Sequence, residues 1–300
     1  MPRILCLGNA VIDRIFEVDA IPARPVKVIA RAFREGGGGI AATASVAIAR
    51  LGGDASWWGR LGDDAVGRRV HALLEAQGVD VGDVRLQPGA ASATAAVIVD
   101  RAGERLLAAF PGRGLDDDPS WLPLERVADA AAVLVDARWR QGTEALLDAA
   151  ASHGVARVID LDLGDRETLL AMAARADHAI FSAPALARAS GSDDPEAGLR
   201  AVAPRADGLV GVTLGERGAM WLDAGVLGTQ PAFAVAASDT TGAGDVFHGA
   251  YAFALAEGRD VASAMRFAAA AGALKVRNGR GWDGMPSRAE VDRMIEGVHA

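Results

Sequence analysis

The chain has 300 residues, 51% of them hydrophobic and 23% charged, a composition that fits one large α/β domain and excludes a disordered chain. With 31 Lys and Arg against 39 Asp and Glu the net charge is −8, which argues against sequence-independent nucleic-acid binding, where phosphates must be neutralised. The single cysteine, Cys6, excludes an internal disulfide and a cysteine metal site.

Ile4–Leu7 reads as a buried strand that ends in a turn at Gly8-Asn9. The apolar start is then broken by Asn9 and Asp13, too early for a signal peptide, and no run approaches the ~18 apolar residues of a membrane span. The expectation is a cytoplasmic chain with no membrane and no nucleic-acid partner. Val26–Phe33 has strand character and leads into Glu35-Gly36-Gly37-Gly38-Gly39. Ile40, Ala44, Ile48 and Leu51 then form one apolar helical face, stopped by Gly52-Gly53. Ala55–Trp58 reads as a strand, Gly59–Gly67 as a loop, and a helix follows to about Gln77. Ala93–Val99 and Arg105–Phe110 flank Asp100–Glu104 as a hairpin. Asp116-Asp117-Asp118 reads as a solvated loop leading to a helix cap at Pro119-Ser120.

From about Ala130 short β-rich runs (Val133–Val135, Val158–Leu161, Ala179–Phe181, Leu209–Val212) alternate with Ala/Leu-rich helical segments. That rhythm predicts a mainly parallel sheet covered on both faces. Two long helices close the chain, Gly244–Glu257, ended by Gly258, and Val261–Val276, capped by Asp260.

The chemistry concentrates in Asp239-Thr240-Thr241-Gly242-Ala243-Gly244-Asp245, just before a helix. Small residues let the backbone turn its N–H groups toward an anion at a helix N-terminus. Asp245 in the first turn is placed to accept a proton from a hydroxyl, and phosphoryl transfer needs both functions. A Gly-rich turn with an acidic residue that only stabilises the helix dipole accounts for the turn equally well. The glycines at 36–39 allow close ligand approach, or equally tight helix–sheet packing. They form no Walker A loop, because no Gly-Lys-Ser/Thr follows. The five histidines, at 71, 153, 178, 248 and 299, lack metal-ligand spacing, and His248 reads as packing. Trp57 and Trp58 read as strand filling, and Cys6 as an inert core thiol.

Taken together, Gly36–Gly53 and Asp239–Gly258 resemble the two signature regions of the ribokinase-like (PfkB) carbohydrate kinases. The likeness runs along the whole chain, including Leu7–Asp13, Gly59–Asp64 and Thr213–Gly218. The resemblance implies a three-layer α/β/α fold over 1–300, with a small β lid from strands within about 13–33 and 93–110, which pairs two subunits in many relatives. It implies Asp245 as base, Gly242, Ala243 and Gly244 as anion hole, and Asp13, Gly37 and Gly38 on sugar hydroxyls. Thr213, Gly215 and Gly218 would line the ATP site, with Ala271 and Asn278 near adenine. Asp239 and Thr241 match positions that hold a monovalent cation, K⁺ for instance, in some relatives. The family's Asn-x-x-Glu motif is missing here, where Phe181-Ser182-Ala183-Pro184-Ala185 stands. Mg²⁺ is still expected with the nucleotide, with Asp160 and Asp162 helping through water.

Val11–Ile15, Ala41–Ala44, Asp136–Trp139, Asp177–Ser182 and Asp245–Gly249 further resemble the sulfofructose kinase branch, and ketohexokinases more distantly. That likeness implies ATP-dependent phosphorylation of 6-deoxy-6-sulfofructose at O1. Lys27 and Arg138 match positions that hold the sulfonate. Ala109 replaces the branch's Asn, and Arg113 is its nearest substitute. Fructose, a phosphosugar, a 2-keto-3-deoxy acid or a nucleoside are the rival acceptors, and a non-catalytic sugar or nucleotide sensor of the same fold is the rival class.

Overall fold

The structure, a computed structural model, describes residues 1–297; His299 lies outside them. The strands are β1 (Arg3–Leu7), β2 (Val11–Glu17), β3 (Ala32–Gly38), β4 (Asp54–Trp58), β5 (Arg60–Gly62), β6 (Arg85–Gln87), β7 (Thr94–Val99), β8 (Arg105–Phe110), β9 (Ala132–Asp136), β10 (Ala156–Leu161), β11 (His178–Ser182), β12 (Leu209–Thr213), β13 (Ala219–Asp223) and β14 (Val226–Gln230). The helices are α1 (Ile40–Arg50), α2 (Ala65–Ala76), α3 (Arg140–His153), α4 (Arg166–Ala173), α5 (Ala183–Ser190), α6 (Pro195–Val202), α7 (Ala243–Ala256), α8 (Val261–Asn278) and α9 (Arg288–Gly297).

Eight strands form the main sheet in the order β14-β13-β12-β11-β10-β9-β1-β4. Pairing is parallel from β4 to β12 and antiparallel only at β13 and β14. Successive strand residues point to opposite faces. On β1, Ile4 and Cys6 therefore enter one apolar cluster, with α1, α2, α7, α8 and α9, while Leu5 and Leu7 enter the other, with α3 to α6. Helices thus cover both faces, as the alternating sequence predicts. Trp57 and Trp58 are fully buried, and burial pushes the Cys6 thiol far up, so it stays protonated. None of the described helices is long and apolar enough to cross a membrane.

A second sheet, β3-β2-β7-β8, stands over the open end of the first. Here the sequence reading needs correction. Val26–Ile29 pairs with nothing and is exposed, and the strand starts only at Ala32. It continues through Gly36–Gly38, opposite Val11–Asp13, because a strand of bare backbone is what fits against the neighbouring side chains. No helix follows Pro119-Ser120 directly. Asp118 instead accepts the Ser120 amide at 3.0 Å in a turn, and one 3₁₀ segment follows at Leu124–Asp129. The β13–β14 hairpin went unread. Its turn has Ala224 and Gly225 at φ 46° and 83°, the left-handed pair a two-residue hairpin demands.

Helices α1 and α7 cross at Gly249. A Cβ there would lie 2.6 Å from the Ala44 carbonyl oxygen and 3.1 Å from its Cα, both backbone atoms that cannot swing aside. Gly249→Ala should therefore destabilise the chain by about 1–3 kcal/mol through overpacking. That outweighs the ~1 kcal/mol Ala gains in helix propensity. Urea unfolding checks this: the midpoint should fall at an unchanged m-value.

Candidate functional site

The site forms where the parallel strands end at their carboxyl edge, the usual ligand crevice of open α/β sheets. Three segments meet there on one carboxylate. Asp136, at the end of β9 and fully buried, accepts the Asn9 amide at 2.7 Å, the Arg138 amide at 2.8 Å and the Ala41 amide at 3.2 Å. Burial pushes its carboxyl up, and the three amides together with the Arg138 charge pull it back. A Cβ on Gly8 would sit 2.2 Å from Asp136 Oδ2, so the first turn has to be glycine.

The Asp239–Gly244 loop is anchored from below. The Ser238 and Asp239 amides donate to the Val276 carbonyl of α8 at 2.9 and 3.2 Å. Asp239 Oδ1 accepts the Thr241 amide at 2.9 Å. Gly242 caps α7 at φ 75°, ψ 5°, a left-handed conformation in which a side chain would be strained. The Ala243 amide donates to the Thr240 carbonyl at 3.3 Å. The turn therefore offers an incoming anion chiefly the Gly242 and Gly244 amides, and Gly244 faces open space.

Asp245 follows in the first turn of α7. Burial raises its carboxyl well above the usual range, Asp160 raises it further, His248 opposes, and Asp162 and Asp136 add to the rise. His248 does more than the packing the sequence suggested. Its ring is buried, and Nδ1 lies 2.7 Å from the Gly244 carbonyl and 2.8 Å from Asp160 Oδ2. Both neighbours are acceptors, so Nδ1 carries the hydrogen. Burial pulls the imidazole's pKa down, but Asp160, the Gly244 carbonyl and Asp245 together raise it. The pair ties the first turn of α7 to the end of β10.

Facing this loop across a cavity of about 970 Å³ are the lid and the glycine strand, and the cavity is lined by Asp13, Gly36, Gly37, Arg34, Arg105, Asp239, Thr241, Arg280 and Trp282 among others. A Cβ on Gly37 would strike the Trp282 ring at 2.3 Å, and one on Gly38 would meet Asp13 Oδ2 at 2.5 Å. Trp282 itself is fixed by Nε1–H donating to Thr43 Oγ1 at 3.0 Å. Burial lifts the Asp13 carboxyl to about 6, against the lowering effect of Arg34.

The structure thus gathers Asp13, Gly37, Asp239 and Thr241 around one cavity, with Gly38 against Asp13 and the Gly242–Asp245 turn continuing the chain from Thr241. It does not bring the three expected cations there. Lys27 is exposed on the unpaired segment before β3, off any strand. Arg138 is exposed beyond β9; its amide donates to Asp136 and its charge lowers that carboxyl, while its side chain stands off the cavity. Arg113 is exposed past β8, bridged to Ala91. None of the three lines the cavity. Thr213 ends β12, and Gly215 and Gly218, at φ 60° and 93°, shape the tight turn after it. Asn278 donates to the Gly284 carbonyl at 3.1 Å, whereas Ala271 is fully buried inside α8 and presents no surface to a ligand. Sequence reasoning passed over the Asp136 clamp, the His248–Asp160 pair, and Arg34, Arg105 and Lys275. The one available signal was that Arg34 stands two residues before the glycine run.

The pattern of the family described as pfkB family carbohydrate kinase matches residues 1–288. Ribokinase of Bacillus subtilis is 28% identical over 98% of this chain and 100% of its own length. Fructokinase-1 of Zea mays is 30% identical over 98% of this chain and 97% of its own. A solved structure from Agrobacterium tumefaciens, provisionally named a ribokinase, superposes with TM-score 0.95 at 34% identity, covering 99% of this chain and 98% of that one.

Asp13 yields a pH expectation. Above about 6 the carboxylate is ionised and is a strong acceptor for hydroxyls; as pH falls through that value it protonates and loses acceptor strength. KM for a sugar acceptor should rise as pH drops from 7 to 5 while KM for the phosphate donor stays flat. Asp13→Asn should abolish that pH dependence, and steady-state kinetics across the range would check it.

Proposed function

The chain belongs to the pfkB family of carbohydrate kinases, and we propose that within it the chain moves the γ-phosphate of ATP to O1 of a ketose, 6-deoxy-6-sulfofructose. Its class, an ATP-dependent sugar kinase, follows from the family. The observation that carries the chemical assignment is the turn at 242–245: Asp245 stands beside the Gly242 and Gly244 amides, on the loop whose Asp239 and Thr241 line the cavity with Asp13 and Gly37. In the proposed reaction the acceptor hydroxyl gives its proton to a carboxylate oxygen of Asp245 as it attacks. The amides and the positive end of α7 hold charge on the transferring group. Asp13 and the backbone of Gly37 and Gly38 orient the sugar, and the lid keeps water out. Thr213 and the Gly215–Gly218 turn, with Asn278, receive the nucleotide.

Mg²⁺ neutralises charge in transfers of this kind. Asp160 is already bonded to His248, and the described residues include no cluster of three metal-ligating side chains. Asp162, half-buried just past β10 and near enough to Asp245 to raise its carboxyl, fits a metal that arrives with nucleotide phosphates and keeps most of its waters.

The branch resemblance supports the sulfonated acceptor. A second reading, an uncharged ketose such as fructose, has its own support: Lys27, Arg138 and Arg113 stand off the cavity, and two of the cavity's arginines face carboxylates, Arg34 with Glu17 and Arg105 with Asp239. Comparing kcat/KM for the two ketoses separates them. We further place the chain in the cytoplasm as a homodimer through the lid. By register Phe16, Phe33, Ile98, Leu106 and Phe110 share the lid face turned from the cavity, and Phe33, Leu106 and Phe110 are 58%, 52% and 42% exposed. A second copy of this chain, presenting the same face, covers it.

Two outcomes follow. Asp245→Asn should lower kcat by about 10²–10⁴-fold, with nucleotide binding by calorimetry unchanged; near-normal turnover removes Asp245 from the role. A wild-type chain that binds ligands but forms no ADP would point to the sensor class. Phe33→Asp with Leu106→Asp should shift the chain from dimer to monomer in sedimentation equilibrium, whereas an unchanged mass would reject the lid interface.

A further inference from the structure

The resemblance implies a monovalent cation at Asp239 and Thr241, and the residues present do not fit one. The oxygens such an ion would use already face fixed positive groups. Arg105 Nη2 is 2.6 Å from Asp239 Oδ1, and its Nη1 donates to Thr241 Oγ1. Arg34 Nη2 stands 3.8 Å from Asp239 Oδ2. The third cation comes from the other side. Lys275 belongs to α8, next to the Val276 carbonyl that anchors Ser238 and Asp239, and its side chain is fully buried. Its Nζ has no hydrogen-bond partner among the described residues.

A buried ammonium is costly unless a nearby negative charge compensates it. The carboxylates that act on Lys275 are Asp239 and Asp245, the two that bracket the anion-binding turn. Burial weakens its hold on the proton, and these carboxylates strengthen it against the opposing Arg105 and Arg34. Asp239 is in turn drawn down, after the cost of its own burial, first by its hydrogen bonds to Thr241 and then by Lys275 and Arg105. One carboxylate, whose side chain is 13% exposed, thus serves three cationic side chains. A further positive ion would gain few free oxygens and would be repelled by all three.

We propose that this chain supplies the cation of its catalytic loop from its own sequence: Lys275 beneath the Asp239–Gly244 turn, with Arg105 above it, does the positioning a bound monovalent ion would do. Lys275 is then a positioning residue. It sets the Gly242 and Gly244 amides through Asp239 and does not touch the reacting atoms. The activity readout rests on the sugar-kinase reading, and the melting readout does not.

The test compares the full chain in K⁺, Na⁺ and tetramethylammonium chlorides at equal ionic strength. Melting temperature and the initial rate of ADP formation should agree within about twofold in rate and 1–2 °C in Tm across the three. A severalfold stimulation by K⁺, or a clear K⁺-specific rise in melting temperature, overturns the proposal. Lys275→Ala removes the charge and leaves room. It should lose at least tenfold in kcat in tetramethylammonium and regain part of it in K⁺, with a K⁺-dependent rise in melting temperature. Lys275→Met fills the space and should lose activity without that rescue. A Lys275→Ala chain with full activity and no response to K⁺ overturns the proposal. Should the variants fail to fold, the wild-type ion comparison decides alone. If the wild type forms no ADP with any sugar, the kinase reading fails while the melting comparison still tests the cation.

Discussion

The carboxyl edge of the sheet is held together by one buried acceptor. Asp136 receives amides from the first turn, from the start of α1 and from the second residue after β9. Those segments lie 127, 95 and 2 positions away along the chain. Without this shared acceptor three backbone donors would lose their partner, and the buried Ala41 amide would bear the full desolvation cost. With it, the turn before β2, the helix after the glycine strand and the main sheet become one rigid frame. Asp13 and Gly38 ride on that frame, and Asp245 feels its charge.

A second fastening works on α7. His248 links the Gly244 carbonyl to Asp160, so the first helical turn cannot drift from β10. On the far side Val276 holds the loop's entry. The amides that face the opening are therefore aimed by contacts made behind them. Preorganised donors stabilise developing charge because they need not turn to meet it.

The helical covering of both faces and the mainly parallel sheet were readable because each has a local signature. Alternating apolar runs, Asp260 before α8 and Gly242 before α7 each report a local backbone preference. The glycines at 36–39 announced close contact but not its kind: they continue a strand against Asp13 and Trp282, which only the fold brings together. Val26–Ile29 misled because β-propensity reports a side chain's fitness for a sheet, not the presence of a neighbour to pair with. The cations around Asp239 were not legible for a related reason. Charged side chains have no periodicity that fixes where they point, and Arg105 bonds Asp239 from 134 positions upstream while Lys275, 36 downstream, acts on it by charge without a hydrogen bond. His248, on α7, was underrated because its partner Asp160 belongs to a distant strand, β10.

The bare wall across the cavity from Asp239 and Thr241 constrains how the chain can change. At Gly37, Gly38 and Gly39 an added methyl would lie 2.3, 2.5 and 2.5 Å from the nearest atom, a Trp282 ring carbon, a carboxylate oxygen and a main-chain oxygen respectively. Gly36, which lines the same cavity, has open space in front of it, and Arg105 is committed to Asp239. A side chain that reshapes the chamber while leaving these contacts standing therefore enters at position 36, or at Val97 and Val99 on β7.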